Sequence, residues 1–212
     1  MIYQLHEFQK TVMAPAVAWA DTARHLFTNP LSPLAYTSVS RTVAANSEMF
    51  VRLLRRYPKP EWGIDEALVN GERVAVTREV VIDKPFCQLL HFQKVVEVDQ
   101  PKLLIVAPLS GHFATLLRDT VRTALADHDV WITDWVDARM VPLAHGAFHL
   151  DDYVDYIREF IRFLSPELNV MSVCQPTVPV LAAVSLMAAE NDPAVPKAMI
   201  MMGGPIDTRR NP

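Results

Sequence analysis

Cys87 and Cys174 are the two thiols of this chain, and Cys174 stands where a thiol can do chemistry. The stretch ELNVMSVCQPTVPVLAAVSLMAAE, residues 167–190, runs an apolar, β-branched segment directly into Cys174 and then into an alanine-rich helical pattern. A buried strand that turns sharply into a helix projects the corner side chain from the end of the sheet, beside the helix N-terminus. The helix dipole and the first-turn amides favour a thiolate, the form that attacks a carbonyl carbon. Ser172-Val173-Cys174-Gln175-Pro176 lies over the G-x-S-x-G pattern of such an elbow, with Ser and Pro in the two glycine positions. Ser172 is small enough for the close approach, and Pro176 suits a first helical turn, where its missing N–H costs nothing. The alternative is a buried core thiol, the commoner fate of cysteine, and position alone leaves both readings open.

A second stretch, LLIVAPLSGHFATLLRD, places Ser110 and Gly111 after an earlier strand and before a helix. There an α/β-hydrolase supplies one oxyanion amide, the other being the amide after the nucleophile, here Gln175. Gly111 lets backbone approach a ligand closely; the plainer account is a turn glycine with a capping serine. His112 adjoins the same loop, with either a substrate contact or a local loop role. Trp131 and Trp135 end a strand, where they line an apolar cleft or simply pack. Asp134 and Asp137, with Arg139 nearby, read as a salt-bridged loop, and Cys87 reads as core. His145 and His149 have no third ligand at a suitable spacing, so no metal site is expected. Asp207 follows a strand, where some hydrolases place their acid, but without a histidine a loop or capping role is favoured.

The elements that must hold these residues follow from hydrophobic periodicity. From Pro101 onward, strands of five to seven residues alternate with helices: KLLIVAP, HFATLLRDTVRTALAD, DVWITDW, LDDYVDYIREFIRFLS, LNVMSV, PTVPVLAAVSLMAAEN and KAMIMM. That alternation predicts βαβ units, a mostly parallel sheet and helices on both faces, and the continuously apolar strands fit a doubly covered sheet. Ahead of it, RVAVTREVVIDKP and CQLLHFQKVVEV predict a hairpin or meander. Residues 58–73 read as a linker with a turn at Asn70-Gly71. Helical patterns over 3–28 and 33–56, separated by NPLSP, form a preface. The expected organisation is a helical extension over 1–60 and an α/β-hydrolase-like portion over 61–212.

With 212 residues, Lys+Arg 20 against Asp+Glu 24 and a net charge of -4, the chain can bury a sizeable core and shows no electrostatic footprint for nucleic acid or anionic membrane. Two cysteines argue against a disulfide framework and fit a reducing cytosol. MIYQLHEFQK lacks the uninterrupted apolar run of an export signal. The longest apolar stretch, 170–189, is broken by Pro176 and Pro179, so no transmembrane segment is expected. The expected location is the cytoplasm.

Taken along the chain, YQLHEFQ, PFCQLLHF, APLSGHFATLLRDT, DVWITDWVDARMVP, HLDDYVDY, VCQPTVPVLAAVSLMA and GGPIDTRRNP resemble the intracellular polyhydroxybutyrate depolymerases. These are relatives of the polyhydroxyalkanoate synthases within the α/β-hydrolase superfamily. The resemblance implies a cysteine nucleophile at Cys174 and hydrolysis of the ester bonds of stored poly(3-hydroxybutyrate) or its oligomers at a storage-granule surface. It implies no metal and no organic cofactor. It also implies that the acid and histidine of the triad follow the nucleophile, beyond Pro212, so that this chain reads as an inactive N-terminal fragment. The terminal strand AMIMM would then be an exposed apolar edge, and poor solubility is expected. Two alternatives stand beside it: a synthase-like acyltransferase, disfavoured by Gln175-Pro176 where synthases keep glycine after the nucleophile, and a non-catalytic granule-binding protein using the N-terminal amphipathic helices.

Overall fold

A computed structural model describes residues 2–55, 58–109, 113–207 and 209–210. The chain divides into two compact units, Met1–Pro58 and Lys59–Pro212.

The first unit holds α1 (Ile2–Val12), α2 (Ala14–Thr28), a 3₁₀ turn (Pro33–Tyr36) and α3 (Ser40–Leu54). The single helix predicted over 3–28 is divided at Met13 because Pro15, in the first turn of α2, has no N–H with which to continue the ladder. Arg24 joins α2 to α3 by donating to Glu48 at 2.9 Å, and it also pairs with Asp21. Hydrogen bonds from Arg52 and then Arg24 hold the Glu48 carboxyl below its ordinary range. No apolar side chain of α2 or α3 is buried; Trp19 is 79% and Leu31 91% exposed.

The second unit is built on a sheet of order β1-β2-β3-β5-β4-β6-β7. Its members are β1 (Glu66–Val69), β2 (Glu72–Asp83), β3 (Cys87–Lys94), β4 (Lys102–Val106), β5 (Asp129–Trp135), β6 (Leu168–Val173) and β7 (Ala198–Met202). β1, absent from the sequence expectation, pairs with β2 through Asn70 and Gly71, both at positive φ. Such a two-residue turn matches the twist of a hairpin. β2 and β3 are antiparallel, as is β3 to β5, while β4, β5, β6 and β7 run parallel.

Helices α5 (Leu150–Leu164) and α6 (Thr177–Ala189) cover one face, with Leu104, Val106, Ile157, Phe160, Val170 and Val180 in its core. α4 (Arg118–Ala124) and Trp62 cover the other, over Leu103, Ile105, Phe92 and Ile132. α4 is shorter than predicted, its first turn being a separate 3₁₀ segment, Ala114–Leu117. On the α4 side, Met171 and Val173 are half-buried, and at the β7 edge Ile200, Met201 and Met202 are exposed. No described helix is long and apolar enough to cross a membrane.

Candidate active site

β6 delivers Cys174 to the C-terminal end of the parallel strands. The alternation along β6 buries Leu168, Val170 and Ser172, and the Ser172 hydroxyl donates to the Ile200 carbonyl at 3.3 Å. Cys174 then takes φ 68° and is exposed. A left-handed conformation at a residue that is neither Gly, Asn nor Asp is uncommon and costs roughly 1–2 kcal/mol, so its surroundings must impose it. Here the Cys174 amide donates to the Met202 carbonyl at 2.7 Å. The Cys174 carbonyl accepts from the Thr177 amide at 3.2 Å and from Thr177 Oγ1 at 2.8 Å. α6 starts at once, with Pro176 as its cap residue and Val180 donating to the Pro176 carbonyl at 3.0 Å. Gly204, beyond β7, presses on the same corner: a Cβ there would overlap Thr177 Oγ1. The glycine is required because Thr177 Oγ1 is already committed to the bend.

The loop leaving β4 lies alongside. β4 and β6 are neighbours, with Val106 opposite Ser172, so Leu109 and Gln175 each lie three residues beyond that pair. They meet: the Leu109 amide donates to Gln175 Oε1 at 3.1 Å. Two residues earlier, the Ala107 amide donates to Thr133 Oγ1 at 2.9 Å. Its carbonyl accepts from Trp135 Nε1 at 2.9 Å and from the Tyr153 hydroxyl at 3.4 Å. Burial, with a smaller contribution from nearby Cys87, pushes the Tyr153 phenol well above its usual range, so it remains a neutral donor. Ser110, Gly111 and His112 lie outside the described residues.

Trp135 is not at an open cleft. It is 6% exposed, packed edge-on to Tyr153 at 4.4 Å and to Phe148 at 5.8 Å, and its indole N–H holds Ala107. Trp131 is likewise packed, stacked on His91 at 3.9 Å. Asp134 is a second correction: it lies within β5 rather than in a loop, is 3% exposed and pairs with Lys59. Asp137 does pair with Arg139, donor to acceptor 3.0 Å, which holds its carboxyl low. Asp207 accepts from the Arg209 amide at 3.1 Å and from its guanidinium at 2.8 Å, a loop role. His149 opens α5, its amide donating to Asp152 at 2.7 Å.

A pair that sequence reasoning missed is His91 with Asp129, 2.6 Å apart, the same carboxylate accepting from Trp131 Nε1 at 2.9 Å. Burial acts to raise the Asp129 pKa, yet those hydrogen bonds outweigh it and hold the carboxyl low. Asp129 begins β5 while Cys174 follows the end of parallel β6, so about 20 Å of strand separates them. The pair cannot serve the thiol as its base.

The mostly parallel sheet, its covering helices and the left-handed corner at Cys174 define an α/β domain with a tight strand-to-helix bend at the ends of its parallel strands. No protein-family model matches the chain, and no curated protein matches it. Among solved structures it is similar to the Francisella virulence factor BioJ, with 15% identity and a TM-score of 0.37, covering 85% of this chain and 56% of that one. It is also similar to a thermostable esterase from Pseudomonas putida, with 12% identity and a TM-score of 0.36, covering 82% of this chain and 53% of that one. The chain thus spans little more than half the length of either structure.

Proposed function

We propose that Cys174 is the nucleophile of an ester hydrolase acting on poly(3-hydroxybutyrate) and its oligomers, as the resemblance to intracellular polyhydroxybutyrate depolymerases implies. The observation that carries the reading is an exposed thiol fixed in a left-handed bend at a helix N-terminus, with the adjacent β4 loop tied to the next residue. Thiolate attack on the ester carbonyl gives a tetrahedral oxyanion beside the Gln175 amide and the β4 loop, the place proposed for Ser110 and Gly111. Collapse expels the alcohol end of the polymer and leaves a thioester, which water cleaves to the free acid and the regenerated thiol. In this superfamily the acid and the histidine follow the nucleophile in chain order. All seven histidines precede Cys174, so no histidine of this sequence stands in that order.

The test uses the protein expressed from its complete reading frame, incubated with amorphous polymer granules and separately with hydroxybutyryl-CoA. Release of free hydroxy acid, abolished by Cys174→Ala, supports hydrolysis. CoA release with chain growth instead marks an acyltransferase. The exposed apolar side chains of the first unit favour a second reading, a granule-coating protein. Co-sedimentation with granules without turnover, unchanged in Cys174→Ala, would establish that reading in place of the first.

A further inference from the structure

We infer that the Gln175 side chain is a positioning residue that clamps the β4 loop to the nucleophile bend; the catalytic part of this inference rests on the ester-hydrolase reading above. Two backbone donors on different loops can hold one oxyanion only if their separation is fixed. The root of the β4 loop is fixed at Ala107 by Thr133, Trp135 and Tyr153, all from the β5–α5 side. Toward β6, the Leu109 amide meets Gln175 Oε1 at 3.1 Å. Leu109 itself packs against the α5–α6 core, so the clamp acts on backbone whose side chain is already anchored. Gln175 therefore serves twice: its backbone stands next to the nucleophile, and its carboxamide holds the Leu109 amide of the neighbouring β4 loop.

The discriminating variants are Gln175→Met, which keeps length and removes the acceptor, and Gln175→Glu, which keeps an acceptor and adds charge. Hydrogen exchange at the Leu109 amide, measured on the 212-residue chain, should quicken at least severalfold in Gln175→Met and stay protected in Gln175→Glu. In the protein from the complete reading frame, with p-nitrophenyl butyrate as the ester, Gln175→Met should lower kcat roughly 10- to 100-fold, the scale of a misplacement near 1 Å. KM and melting temperature should hardly change; a merely structural residue would shift the melting temperature instead. Unchanged exchange in Gln175→Met overturns the clamp. Faster exchange with unchanged kcat overturns its positioning role. Hydrolysis that survives Cys174→Ala removes the acyl-enzyme reading, and with it any catalytic meaning of the clamp, whatever the exchange rates show.

Discussion

The two cysteines occupy opposite settings on neighbouring parts of one sheet. Cys87 begins β3, is fully buried, and has Asp134 close by, so burial first and that carboxylate second push its thiol pKa well up. Cys174 leaves β6 at a left-handed bend and is exposed. The first is a strand residue whose sulfur fills space between the sheet and α5. The second has its backbone amide and carbonyl both engaged by other segments while its side chain faces out. The two thiols thus differ in exposure and in how their backbone is held.

The largest expected effect is on alkylation. Iodoacetamide should modify Cys174 in the native protein faster than Cys87 by a factor on the order of 100 or more, because a buried thiol reacts only through opening of the structure. Peptide mass spectrometry reads both sites, and comparable native rates would break the contrast. Next in size is Gly204→Ala, whose Cβ meets Thr177 Oγ1. It should destabilise the unit by about 1–3 kcal/mol, as overpacking does, measured as a lowered urea midpoint. It should also change the alkylation rate of Cys174 while leaving Cys87 protected.

The third effect follows from the raised Cys87 pKa. The folded state keeps the proton that the unfolded state loses, so stability is full below about pH 8.5 and declines as pH rises toward the folded pKa. The slope approaches about 1.4 kcal/mol per pH unit. Urea unfolding between pH 8.5 and 10 should show this slope in the parent and lose it in Cys87→Ala; Cys174→Ala should retain it. The smallest effect concerns the bend. At φ 68° glycine is unstrained, so Cys174→Gly should be more stable than Cys174→Ala by about 1 kcal/mol. Equal stability in urea would show that the bend is less constrained than its hydrogen bonds suggest.

Strands β4 to β7 and helices α5 and α6 were legible in the sequence because each is a continuous apolar or amphipathic segment with clear stops. The bend was legible for the same reason: the β-branched run ends at Cys174 and Pro176 can only start a helix. β1 was not, since Glu66-Ala67-Leu68-Val69 is four residues long and follows a proline- and glycine-containing stretch. Asp134 was assigned to a salt-bridged loop with Asp137 because Arg139 lies nearby in sequence; its actual partner Lys59 is 75 residues away. Whether Trp135 lines a cleft or packs was open in the sequence because its hydrogen bond to Ala107 depends on strands brought together only by folding. The contact between Leu109 and Gln175, 66 residues apart, and the need for glycine at 204 depend equally on the tertiary structure.

The bond from the Cys174 amide to Met202, together with the pressure of Gly204 on Thr177, also bears on biosynthesis. β6 and α6 are translated before either residue exists, so a nascent chain carries its sulfur on an uncompleted corner until residues 202 to 204 have emerged. The segment that closes the bend is made about thirty codons after Cys174 itself.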